Sequence, residues 1–168
     1  MCNTITQSPR LYLRQLTPQD AENFYRLNLD HHVMRYTGDV PFSTVEAAQT
    51  FLAHYDQYKK YGYGRWAVIR QSDDAFLGWC RLKYAPELEE TDIGFRFFRE
   101  FWNQGYATEA ANLCLKLGFE QFGLKRIVGR AMSENVASIK VLEKIGLKTF
   151  ENSKCDAVCD RSFEIFSE

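Results

Sequence analysis

Thr91-Asp92-Ile93-Gly94-Phe95-Arg96-Phe97-Phe98 runs, after a short link, into Trp102-Asn103-Gln104-Gly105-Tyr106-Ala107-Thr108-Glu109-Ala110-Ala111. The first stretch reads as a strand and the second as a tight turn that opens a helix. Gly105 can take backbone angles closed to other residues, and the small Ala107 leaves the helix start uncrowded. The first N–H groups of a helix lack intrahelical partners, and the helix dipole adds positive potential there. A turn of this kind suits a phosphate or diphosphate. The dinucleotide pattern G-x-G-x-x-G with an acidic residue further on is absent, as is G-x-x-x-x-G-K-[ST].

Working outward, Arg126 to Met132 reads as a second strand, followed by Ser133-Glu134-Asn135-Val136-Ala137-Ser138-Ile139-Lys140-Val141-Leu142-Glu143-Lys144-Ile145-Gly146-Leu147. Asn135 is a good N-cap for that helix. Upstream, Arg65 to Gln71, Phe76 to Tyr84 and Glu89 to Phe98 form a strand meander, with turns at Ser72-Asp73-Asp74 and around Pro86. Leu11 to Leu16 is a first strand. Thr17-Pro18 starts a helix whose apolar stripe is Ala21, Phe24, Tyr25 and Leu27. Asp30 to Phe42 is irregular. Ser43-x-x-Glu46 has the capping-box pattern and predicts a helix from Thr44 to about Lys60. Leu147 to Ser153 and Ala157 to Phe166 supply the last strands. The order predicts a mixed α/β sheet with helices on both faces. No linker or repeat divides it, so residues 1–168 are expected to form a single domain with a core from about 10 to 166.

The 168 residues carry a net charge of −1, which gives no electrostatic case for nucleic acid. No apolar run reaches membrane-spanning length and the N-terminus lacks a signal-peptide core. The five cysteines are odd in number and irregularly spaced. These features predict a cytoplasmic protein with free thiols. Cys155 and Cys159, with His31, His32 and His54, lack the spacing of a metal site, so no metal is expected.

The central turn and the Asn-x-x-Ser…Glu-Lys-x-Gly helix, with Arg10-Leu11-Tyr12-Leu13-Arg14 at the start, resemble the GNAT family of N-acetyltransferases. The likeness is to the branch that acetylates ribosomal-protein N-termini, and it covers about Arg10 to Phe166. It implies a single-domain GNAT fold: a largely antiparallel seven-stranded sheet whose central strands splay apart. It also implies acetyl-CoA as cosubstrate, an amine acceptor, and a monomer or homodimer. The cofactor would lie on Phe97, Asn103, Gln104, Gly105, Tyr106, Ala107, Thr108 and Asn135. Its diphosphate would take the turn's N–H groups, and its pantetheine arm would pair with the central strand. The family carries Gln or Arg where this chain has Trp102, so one possible cation is missing. The resemblance puts Ser138 near the thioester as a proton donor, although a first-turn serine can equally satisfy local backbone.

An amine attacks a thioester only when unprotonated. An α-amino group has a pKa of about 7.7–8.0 and a lysine amine one near 10.4, so an N-terminal acceptor needs only a weak base. Asp92 on the central strand and Glu109 in the first helical turn are the candidate carboxylates, although Glu109 is also a natural dipole partner. His31, Arg35, Tyr36 and Trp79 are the candidate acceptor contacts, with His32 and Trp66 as further candidates, although core or rim packing explains the two tryptophans at least as well. No cysteine has an evident activating histidine, so direct transfer in a ternary complex is expected. The alternative is an acyl-CoA-binding sensor or interaction module with little turnover.

Overall fold

The computed structural model describes residues 3–151 and 160–168; Cys2, Cys155 and Cys159 lie outside them. The strands are β1 (Thr4–Gln7), β2 (Leu11–Gln15), β3 (Arg65–Arg70), β4 (Phe76–Ala85), β5 (Glu90–Phe97), β6 (Arg126–Ala131), β7 (Lys148–Thr149) and β8 (Arg161–Phe166). They form an 8-stranded sheet in the order β1-β2-β3-β4-β5-β6-β8-β7. Each neighbouring pair is antiparallel except β5 and β6, which run parallel.

The count exceeds the expected seven because Thr4-Ile5-Thr6-Gln7 adds an edge strand on β2. A short polar segment shows no strand signal by itself; pairing with β2 supplies it. The expected last strands, Leu147 to Ser153 and Ala157 to Phe166, extend into undescribed residues. Their described parts are β7 and β8.

The helices are α1 (Ala21–Leu27), α2 (His31–Met34), α3 (Val45–Ala53), α4 (Gln57–Tyr61), α5 (Tyr106–Lys116) and α6 (Val136–Lys144). In place of the expected Ser43 capping box the helix has a simple N-cap one residue on: the Thr44 hydroxyl accepts from the Ala47 N–H at 3.1 Å, and Ala47 at N3 has no side chain to reach back. The long helix from Thr44 to Lys60 is two helices, because the chain turns off at His54 and restarts after Asp56. The segment read as irregular contains α2, capped by Asp30, whose carboxylate accepts from the His32 N–H at 2.9 Å.

Strand alternation divides the apolar residues between two cores. On one face Cys80, Leu82, Ile93 and Phe97 pack with Ala110, Ala111, Cys114 of α5 and Leu142 of α6. On the other face Ala67, Ile69 and Trp79 pack with Phe24 and Leu27 of α1 and Ala48 and Leu52 of α3. Trp66 belongs to the first core and Trp79 to the second. Gly78, at φ 155°, sits in a strand irregularity between β3 and β4; a Cβ there would lie 2.1 Å from the Arg96 carbonyl oxygen. That close approach fixes the β4–β5 register, and so where the end of β5 stands.

Candidate functional site

β5 and β6 pair only at Asp92–Val128 and Ile93–Gly129. Beyond Ile93, β5 stays fully paired with β4 as far as Phe97, while β6 stays paired with β8. The two parallel strands therefore separate. Phe98 donates its N–H to the Leu77 carbonyl of β4 at 3.0 Å. Backbone groups alternate sides along an antiparallel strand, so Arg96 and Gly94 also address β4, and Phe95 and Phe97 address the gap. The Phe97 carbonyl there accepts from the Trp102 indole Nε1 at 2.9 Å. The N–H and C=O of Phe95 and the N–H of Phe97 face the gap as an open strand edge.

Both strands deliver into helices at the same end of the gap, the carboxyl end of the parallel pair, where ligands of open α/β sheets bind. After β5, Asn103 takes φ 59° and Gly105 φ 79°. Asn is among the side chains that tolerate this left-handed region. Gly105 is the N-cap of α5, and the first bond of that helix runs from the Glu109 N–H to the Gly105 carbonyl at 3.0 Å. The N–H groups of Tyr106, Ala107 and Thr108 precede it. They are the donors a phosphate would use.

Other side chains at the turn have local partners. Gln104 donates to the Glu100 carbonyl at 2.9 Å, turned back from the helix mouth. The Tyr106 ring is buried, with its edge toward Phe101, so only its backbone is offered. Arg10 supplies what the sequence reading missed. Its Nη1 donates to the Gln104 carbonyl at 2.9 Å, and its guanidinium lies 4.5 Å over the Tyr106 ring. A Cβ on Gly105 would stand 3.3 Å from its Nη2. A cation thus stands at the turn although Trp102 is not one.

Glu109 fixes Arg10. Its carboxylate accepts from the Ser8 hydroxyl at 2.6 Å and from Arg10 Nε at 2.7 Å. Burial works to raise its pKa, but these hydrogen bonds and the Arg10 charge prevail and hold it below the ordinary carboxylate range. A carboxylate so engaged is a clamp and a poor candidate base.

Across the gap, Asn135 caps α6: its Oδ1 accepts from the Ser138 N–H at 3.2 Å. The same bond sets Asn135 and Ser138 side by side at the helix start. Asp92 stands at the foot of the gap, in the last paired stretch, with its carboxylate 3.1 Å from Arg81 Nη2 and 4.0 Å from Arg130 Nη1.

The expected acceptor residues separate. His31 and Arg35 are exposed on and just after α2, with the Arg35 guanidinium 5.0 Å over the Tyr36 ring. Trp79 is instead a buried floor residue at 3% exposure, and Trp66 packs on the opposite face. The segment carrying His31 nevertheless lies against the sheet: Arg96 donates to Asn28 at 2.6 Å and to Asp39 at 2.7 Å, and Arg99 pairs with Asp30. Ligand atoms of Asp30, His31 and His32 lie within 4.8 Å of one another. The Asp30 carboxylate there already serves His32 and Arg99. Cys80 and Cys114 are buried free thiols, and burial, followed by the adjacent Cys80, pushes the Cys114 thiol up. Neither is an activated nucleophile. Among the described residues no helix is long and apolar enough to cross a membrane.

Residues 10–148 match the Acetyltransferase (GNAT) domain. The chain is 32% identical over 149 residues to the "Uncharacterized N-acetyltransferase YoaA" of Bacillus subtilis, covering 86% of this chain and 82% of that one. A GNAT-family acetyltransferase from Bacillus anthracis superposes with a TM-score of 0.79 at 30% identity, over 95% of this chain and 96% of the other. A further likeness, with a TM-score of 0.83 over 98% of both chains, is to RimL, a ribosomal L7/L12 alpha-N-protein acetyltransferase solved with coenzyme A. At 15% identity it shows the shared fold alone. The narrower likeness to the ribosomal-protein branch therefore stays at the level of fold.

Proposed function

This chain belongs to the GNAT family of acetyltransferases, and from that premise we propose that it moves an acetyl group from acetyl-CoA to a primary amine by direct attack in a ternary complex. The observation that carries this reading is the open gap beyond Ile93, with α5 and α6 both starting at its mouth. The chain's groups fit the cosubstrate. The N–H groups of Tyr106, Ala107 and Thr108 take the diphosphate, with Arg10 beside them. Hydrogen bonds to a charged acceptor contribute about 1.5–3 kcal/mol each, enough for a few to anchor a flexible ligand. The free edge of Phe95 and Phe97 takes the amides of the pantetheine arm. From Phe97 down to Asp92 the strand spans about 17 Å at 3.4 Å per residue, a distance an extended arm can cover.

The thioester then rests near Asp92 at the foot of the gap. A neutral amine forms the new nitrogen–carbon bond, the carbon–sulfur bond breaks, and coenzyme A departs as a thiolate. The proton lost by the amine passes to solvent or, through water, to Asp92. Ser138 gives a proton to the departing sulfur and regains one from solvent. Placement of the two reactants supplies most of the acceleration, and a β5 N–H directed at the acyl oxygen adds electrostatic stabilisation. The acceptor is a protein N-terminus or a small amine.

The test is thiol release from acetyl-CoA with a panel of N-terminal peptides, polyamines, amino acids and aminoglycosides. Amine-dependent release supports the reading. Release at a rate indifferent to every amine, with coenzyme A bound, leaves an acyl-CoA-binding module instead.

A further inference from the structure

The guanidinium groups of Arg65, Arg81 and Arg96 crowd one patch of the sheet, on the face covered by α1 and α3. Arg65, Arg81 and Gly94 are cross-strand partners on β3, β4 and β5, and Ala67, Trp79 and Arg96 form the next row. Arg65 stands 4.3 Å over the Trp79 ring, Arg96 5.1 Å and Arg81 5.7 Å. Like charges held this close need counter-charges. Arg96 has Asp39 at 2.7 Å and Arg81 has Asp92 at 3.1 Å. Arg65 has no carboxylate in contact: among the described residues its side chain meets the rings of Trp79, Phe24 and Phe51, and Asp39, the partner of Arg96, reaches it only through its field. The Nε atoms of both Arg65 and Arg81 are enclosed without a hydrogen-bond partner among the described residues. Burial, then the charges of Arg81 and Arg96, outweigh Tyr55 and Asp39 and push the Arg65 guanidinium down to about 9, so it remains a cation at neutral pH. A half-buried charge with no carboxylate in contact is costly to keep, and an apolar side chain would serve the core better.

The patch also stands in a telling place. The Arg81 Nε would lie 2.9 Å from a Cβ on Gly94, the first β5 residue past the last pair with β6. Arg81 therefore lies across the edge of the gap, on the face opposite α5. A ligand entering the gap from that face passes over Arg81 and beside Arg65. Phe51, 38% exposed, lies with its ring 5.7 Å from the Arg65 guanidinium.

The geometry points to an acceptor that carries a carboxylate as well as its amine, the carboxylate seated on Arg65 and Arg81 while the amine faces the gap. This rests on the amine transfer proposed above. The carboxylate belongs either to a free amino acid or to an acidic side chain beside a peptide N-terminus; both give the site the same charge.

Thiol release is to be measured for free amino acids against their carboxamides, and for tetrapeptides with Asp against Asn at the second position. The carboxylate form is expected to be used at least tenfold better in kcat/KM, and the pair that discriminates identifies the source. Arg65→Gln should abolish that preference while leaving the weak rate with the neutral analogue. Arg65→Lys should keep much of it. Unfolding temperature and coenzyme A affinity of each variant report whether it is folded. A second measurement needs no turnover: calorimetry of N-acetyl amino acids and their amides binding to the protein saturated with coenzyme A. Tighter binding of the acid, lost in Arg65→Gln, supports the seat even if no amine is acetylated, in which case the transfer reading alone falls. Acid and amide forms that react and bind within threefold of each other overturn the inference and leave amine transfer standing.

Discussion

The Trp102 indole Nε1 donates to the Phe97 carbonyl across 2.9 Å. The donor comes from the turn and the acceptor from the last residue of β5, so the bond ties the phosphate-type turn to the strand edge that leads into the gap. Trp102 thus acts as a structural strut. Trp102→Phe removes the donor. It is expected to cost about 1 kcal/mol, a fall of about 2–4 °C in unfolding temperature for a chain of this size. Thermal unfolding measures it, and an unchanged midpoint would mean the strut carries no load.

Gly105 occupies the left-handed region and has Arg10 close by. An L-residue there costs roughly 1–2 kcal/mol, and Gly105→Val must also displace Arg10. The turn's N–H groups should lose their alignment. Calorimetry is expected to find coenzyme A binding weakened at least tenfold, about 1.4 kcal/mol, with circular dichroism unchanged.

Glu109 gives a pH signature. Its carboxyl is held below its ordinary value of 4.5 because hydrogen bonds from Ser8 and Arg10 outweigh burial. A depressed carboxyl contributes stability that is present above the unfolded pKa and is lost as pH falls through the folded one. Wild type should therefore melt above Glu109→Gln at neutral pH, by about 1 kcal/mol given the partial exposure of the pair. The difference should persist down to about pH 4.5 and close below it. A difference independent of pH across that window would assign the effect to packing.

How much of this was legible beforehand depended on the range of the interactions. The Gly105 turn, the Asn135 cap and the β3–β4–β5 meander are set by neighbours in the chain, and the sequence showed them. Arg10 was invisible because its partners Gln104 and Glu109 are distant in sequence. The edge strand Thr4–Gln7 exists only by pairing with β2. The choice between cleft and core for Trp79 was not legible, because alternation along β4 decides its face, and α1 and α3 then cover it. The arginine cluster likewise arises only when strands bring Arg65, Arg81 and Arg96 into adjacent rows.

Gly78 tests the register on which the gap depends. A methyl group there meets backbone at 2.1 Å, the Arg96 carbonyl, and at 2.7 Å, the Phe97 Cα. Neither can rotate aside. Gly78→Ala is expected to destabilise by about 2–3 kcal/mol or more, read by urea unfolding. A loss under about 0.5 kcal/mol would show that β4 and β5 shift freely.

Asp92→Asn and Ser138→Ala address proton transfer. General acid or base catalysis typically contributes at least about 100-fold, so each variant should lower kcat by that order while leaving coenzyme A affinity within about threefold. Loss of less than about threefold in both would remove both residues from the chemistry and leave catalysis to placement alone.

The most direct measurement is a crystal structure of the protein with coenzyme A. The account predicts diphosphate oxygens within about 3.2 Å of the N–H groups of Tyr106, Ala107 and Thr108, with the pantetheine arm along Phe95 and Phe97. A diphosphate bound away from Gly105, or an arm lying outside the gap between β5 and β6, would contradict it.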